Sequence, residues 1–238
     1  MASVNISGFI NSFDNKLEPP IKHHLKNVYA CLAMSTLAAG LGAIIATHNL
    51  IKTEAGLFCA IGAAVFLFLL LIYPDDDGKE TAKRVGYLFG FSVLSGFGMG
   101  PLLKYAMIVD PSIIVTALIS TSLVFVSFSL CAIFSERGKW LYLGGILLTL
   151  LNSLMLMGFA NIFLKSTVLW NIRAYLGIFV MCGYILYDTQ AIIVKRKMGS
   201  KDVVAHALDL FVDVLGIFRK LLIVLSQKEE QRKKRRNS

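Results

Sequence analysis

Apolar residues in this chain do not recur at a helix period against a polar face; over long stretches they simply run on. A helix needs about 20 such residues to cross the hydrocarbon core of a bilayer. Six stretches meet that length, at 28–47, 55–73, 85–103, 111–134, 140–164 and 174–194. The first two are uncharged, and the sixth is interrupted by one acid, Asp188. Strict alternation of apolar and polar residues is absent, which excludes a membrane β-barrel. Trp140, Trp170, Tyr73 and Tyr142 fall near the predicted ends, where amphipathic rings sit among headgroups.

A seventh stretch, 202–225, has the length of a span but carries Asp202, His206, Asp209, Asp213, Arg219 and Lys220. Each central Asp, Lys or Arg costs about 2.5–3.5 kcal/mol on an insertion scale. The segment enters the membrane only if the other helices cover its polar face. The pattern therefore predicts an all-α polytopic membrane protein, a bundle of six transmembrane helices around a polar seventh helix or re-entrant segment. Residues 1–26 form an N-terminal segment, 27–225 the bundle and 226–238 a basic tail.

Basic residues in the loops set the orientation. With the N-terminus in the cytoplasm, twelve Lys and Arg face that side and four, Lys52, Lys104, Lys165 and Arg173, face the other. A full seventh crossing would carry the tail, with Arg232, Lys233, Lys234, Arg235 and Arg236 in one run, against this bias. The expectation is that 202–225 dips in and returns, leaving the tail cytoplasmic. The alternative is a protected central helix that crosses. The tail suits anionic headgroups, at about 1 kcal/mol per basic residue near the surface.

Composition agrees. Of 238 residues, 56% are hydrophobic and 16% charged, against about 25% charged in soluble domains; the mean hydropathy is +0.67. A nucleic-acid enzyme, a disordered chain and a secreted disulfide scaffold are excluded. Cys31, Cys59, Cys131 and Cys182 lie in apolar stretches without a C-x-x-C pair and read as packed thiols. The polar N-terminus lacks a signal-peptide core, so insertion is expected to start at the first span. No Ser-His-Asp, H-E-x-x-H or Walker pattern occurs, and no enzyme activity or resident cofactor is expected.

Ionisable groups at membrane depth are expensive and so mark function. Asp188 lies seven residues before Lys195, about 10 Å of helix rise. Asp202, His206, Asp209 and Asp213 are spaced four, three and four apart, one face of a helix. Bland readings stand beside these: Asp188 and Asp213 as packing acids, Asp209 facing water, His206 at the interface rather than sensing pH. Gly86-x-x-x-Gly90 and Gly96-x-x-x-Gly100 are small-residue pairs for close helix approach, and Gly100-Pro101 breaks or bends the third span.

Together the motifs resemble the Bax inhibitor-1 family of transmembrane Bax inhibitor motif proteins. They are Leu94 to Phe125, with Gly100-Pro101, Leu103 and Thr116-Ala117; Leu143-Gly144-Gly145-Ile146; Tyr187-Asp188-Thr189-Gln190; and Leu208-Asp209-Leu210-Phe211 running to Asp213. The polar tail after Phe218-Arg219-Lys220-Leu221 looks like that of eukaryotic endoplasmic-reticulum members. The resemblance implies a polar last helix at the centre, a calcium leak and suppression of cell death at the endoplasmic reticulum. Implied partners are membrane lipids, cell-death regulators and stress-sensor membrane proteins of the unfolded protein response, with no nucleic acid. Bacterial members pair two acids as a pH sensor at positions matching Asp188 and Asp213. Their arginine latch near the end of the second span has no counterpart, since no basic residue lies between Lys52 and Lys79. Lys83, Arg84 or neither could serve.

Physical chemistry meets this independently. Two carboxylates close together in low dielectric cannot both ionise easily. Ca²⁺ wants six to eight oxygens, so the Asp188–Asp213 pair makes a transit site for which a proton and Ca²⁺ compete. Asp209 and His206 complete the expected ion pathway. The rival is a non-conducting scaffold acting through loops and tail, which needs no aspartates at membrane depth.

Overall fold

The computed structural model describes residues 17–48, 56–75 and 78–237. The start of the second stretch, at 55, lies outside them, as do Lys16 and Lys52. Among the described residues eight helices follow in order: α1 (Pro19–Thr47), α2 (Gly56–Ile72), α3 (Thr81–Gly98), α4 (Gly100–Val109), α5 (Ser112–Phe134), α6 (Leu143–Leu164), α7 (Thr167–Lys197) and α8 (Val203–Asn237). No strand occurs among the described residues. The protein is an all-α polytopic membrane protein. By length and composition, α1, α3 with α4, α5, α6 and α7 are able to cross a membrane, and α2 is a shorter apolar helix.

Local sequence sets several ends away from the hydropathy boundaries. Pro19 and Pro20 open α1, since a first-turn proline gives up only an amide that has no helical partner. α1 therefore starts nine residues before the apolar stretch. α7 starts at Thr167 rather than 174, where the Ser166 hydroxyl accepts from the Leu169 amide at 3.4 Å, an N-cap. The third span is interrupted at Met99, with Gly100-Pro101 opening α4, and it continues to Val109.

The last helix is the axis. α8 packs against α1, α3, α4, α5 and α7, and Leu210, Phe211, Ile217 and Leu222 on it are fully buried. α2 packs on α3, and α6 on α7. The apolar side chains left exposed, among them Leu37, Phe58, Leu123, Phe163 and Phe179, form the surface that faces lipid.

The returning form of the seventh segment is not what the chain adopts. α8 is one helix of 35 residues, about 52 Å long. Its first turn lies beside Arg84 at the start of α3, and near its last turn Lys233 donates to the carbonyl of Val109 at the end of α4. It thus runs parallel to the whole α3–α4 span. Residues 226–237 are helical, held by Glu230 accepting from Tyr105 at 2.8 Å and by Lys234–Glu230 and Arg232–Glu229 ion pairs at 2.7 and 3.7 Å. Insertion scales count each charge against lipid, whereas α8 meets protein on nearly every side, so its polar groups do not oppose a full-length helix.

Close approach explains two glycines. On α3, a Cβ on Gly96 would strike the backbone of Ala39, and one on Gly42 of α1 would strike the backbone of Val93. These two glycines let α1 and α3 approach at backbone distance. Gly100 sits against the Ala46 side chain. Gly86 by contrast faces open space and Gly90 meets the Phe66 ring, so that pair does not act as a backbone seam.

Candidate functional site: polar layers along the central helix

The face formed by Asp202, His206, Asp209 and Asp213 reaches three different helices. At the top, Asp202 forms a buried ion pair with Arg84 of α3. The same guanidinium donates to the Leu70 carbonyl at 3.1 Å, and Asp202 also accepts from the amides of Ala205 at 2.9 Å and Asp75 at 3.3 Å. Asp75 in turn accepts from the amides of Lys79 and Glu80 at 2.8 and 3.0 Å and from the Thr81 hydroxyl at 3.1 Å. The α2–α3 loop, the start of α3 and the start of α8 are one hydrogen-bonded unit. Burial pushes the Asp75 carboxyl up, but these donors outweigh it and hold the group below the usual carboxylate range.

One turn down α8, His206 meets His24 of α1, ring nitrogen to ring nitrogen at 2.9 Å with the rings edge to face. Both are buried, and with a proton between the two nitrogens one ring donates and the other accepts. Next, Asp209 and Lys195 of α7 stand 4.0 Å apart, both about half exposed.

Deepest is Asp213, only 4% exposed. Its carboxyl lies within hydrogen-bonding reach of Asp188 on α7, and its Oδ2 has no partner. Two acids facing each other hold together when one carries a proton and donates it. Among the described residues no group of three His, Cys, Asp or Glu side chains is placed to hold a metal ion.

The structure thus brings Asp188 and Asp213 together, and sends Asp209 to Lys195 and His206 to His24. Sequence reasoning missed His24 and Asp75, which stand in polar stretches with nothing in their spacing to single them out. Of the candidates for a latch, Arg84 binds Asp202 instead of the Asp188–Asp213 pair, and Lys83 forms a surface pair with Glu80 at 2.6 Å. Gln190 anchors the turn beyond α5: its Nε2 donates to the Ala132 carbonyl and its Oε1 accepts from the Gly138 amide, both at 2.6 Å. The Tyr187 ring occupies the space beside Gly144. The Tyr-Asp-Thr-Gln and Leu-Gly-Gly-Ile motifs therefore form one packed unit that fixes Asp188 toward α8.

The family model described as Inhibitor of apoptosis-promoting Bax1 matches residues 21–230. Bax inhibitor 1 of Drosophila melanogaster is 41% identical over 96% of this chain and 92% of its own. Bax inhibitor 1 of Homo sapiens is 38% identical over 94% of this chain and 99% of its own. The Arabidopsis thaliana protein of that name is 38% identical over 93% and 90%. With its polar last helix enclosed by the apolar spans and its two facing aspartates, the chain belongs to the Bax inhibitor family.

Proposed function

We propose that this protein suppresses apoptosis from the endoplasmic-reticulum membrane by letting Ca²⁺ leak along α8 under the control of protons at Asp188 and Asp213. The observation that carries the reading is the buried pair itself. Two carboxyls facing each other between α7 and α8, one with an unpartnered oxygen, have an electrostatic cost that packing alone does not explain. A proton on the pair lowers its negative charge and competes with Ca²⁺; loss of the proton leaves two anionic groups that a hard divalent ion satisfies. At the top of α8, Arg84 and Asp202 are buried against each other and fill the space between α3 and α8. Conduction then requires that unit to part, with Asp209 and His206 next along the path.

Calcium efflux from liposomes containing only the purified protein tests this. Asp213→Asn is expected to cut efflux by about tenfold or more with normal expression, Asp188→Asn to do the same, and the double variant to add little, as groups acting as one unit do. Unchanged efflux in Asp213→Asn overturns the leak reading and favours a non-conducting scaffold for cell-death and stress-sensor proteins.

Orientation follows from the loop charges, with the N-terminus cytoplasmic. Because α8 ends beside Val109, the basic tail then projects from the opposite face. A glycosylation acceptor fused after Ser238 is expected to be modified in cells, and an unmodified acceptor would overturn that orientation.

A further inference from the structure

The lower half of α8 carries a cluster that the calcium reading does not use. Arg219 and Lys220 lie beside Arg173 of α7 in a cavity of about 270 Å³ between α6, α7 and α8. Two of the three charges have places made for them by missing side chains. The Lys220 stem occupies the space beside Gly177, and the Arg173 guanidinium lies over Gly158 of α6. The Trp170 ring stacks on Arg173 with 5.2 Å from guanidinium carbon to ring centroid. No acid pairs with any of the three among the described residues.

Three cations gathered in one recess repel one another, and three helices hold them there. The recess is also two-sided in chemistry. Trp170 and Arg173 lie near the first turns of α7, at the bilayer interface, whereas the wall continues along α6 through apolar Leu151 and Met155. A ligand that satisfies both ends is anionic at one end and hydrocarbon at the other. We propose that this cavity binds a membrane phospholipid with a net anionic headgroup, its phosphate against Arg173, Arg219 and Lys220 and an acyl chain along α6. The site is on the opposite half of α8 from Arg84–Asp202, and it is distinct from the basic run at 232–236.

The full chain, purified in zwitterionic detergent, is titrated with phosphatidylglycerol, phosphatidylcholine and inorganic phosphate, and bound lipid is counted by native mass spectrometry. Phosphatidylglycerol is expected to bind at least about tenfold more tightly than phosphatidylcholine. Joint Arg173→Gln and Lys220→Met substitution is expected to weaken phosphatidylglycerol by about thirtyfold and to leave phosphatidylcholine unchanged. Joint Arg173→Lys and Lys220→Arg substitution, which keeps the charge, is expected to retain most of the preference. Changing residues 232–236 to Gln is expected to spare the tight binding. Equal affinity of the wild-type chain for the two lipids overturns the proposal, as does loss of the preference with the tail instead of the pocket. Inorganic phosphate displacing the lipid at comparable concentration overturns it too, by assigning the cavity to a free anion.

Discussion

The two ends of α8 solve the same problem in opposite ways. At the Asp202 end every charge turns inward: Arg84 lies against Asp202, and the amides of Asp75 and Ala205 complete the carboxylate. At the Lys220 end three cations share a recess without a protein anion among the described residues. Both ends belong to one unbroken helix. Buried charge is costly unless it is paired, and the first end pairs its buried charges within the chain; the second leaves its cations partly or fully exposed, complementary to something outside the chain. The Asp188–Asp213 pair lies between them, enclosed like the first and incompletely satisfied like the second.

Three experiments sharpen that contrast. Arg84→Met leaves Asp202 buried without its cation. Breaking one side of a buried pair costs about 3–5 kcal/mol, so a large fall in the thermal midpoint of the detergent-solubilised protein is expected. Asp202→Asn in that background should restore part of the loss. A midpoint within a degree of wild type would show that the Asp202 end is not held by this pair.

Asp75 gives a smaller, pH-dependent effect. Its carboxyl is held low in the folded protein by the donors of the α2–α3 loop. A lowered carboxyl contributes stability above its unfolded value, near 4, and that contribution disappears as pH falls through the folded value. Asp75→Asn should therefore narrow the difference in thermal midpoint between pH 7 and about pH 3. Equal differences in both proteins would mean that the loop contributes nothing to acid sensitivity.

The smallest effect is expected at Lys220→Met. In a zwitterionic environment this change relieves repulsion from Arg173 and Arg219, so stability should stay within about 0.5 kcal/mol of wild type or rise slightly. A loss as large as that of Arg84→Met would make the two ends alike and remove the contrast.

Much of this architecture was legible from residue order. Continuous apolar runs identified α1, α5, α6 and α7 because lipid exposure demands such runs whatever the neighbours are. The four-three-four spacing from Asp202 to Asp213 placed four polar groups on one face, and the family resemblance singled out Asp188 and Asp213 among the acids. Helix ends were less legible, since Pro19, Ser166 and Met99 act through local backbone chemistry that hydropathy does not register.

What the sequence by itself determined is the membrane class, where the long apolar helices lie and the face of α8 that carries its charges. These depend on transfer free energy and helix periodicity, both local properties of the chain. Only the tertiary structure decided who meets whom: Arg84 with Asp202, His24 with His206, Asp188 with Asp213, and Arg173 beside Lys220. It also decided that α8 runs the full length of the bundle. Insertion scales assume a helix facing lipid, and α8 faces five other helices instead, so the cost of its polar groups is set by partners distant in sequence.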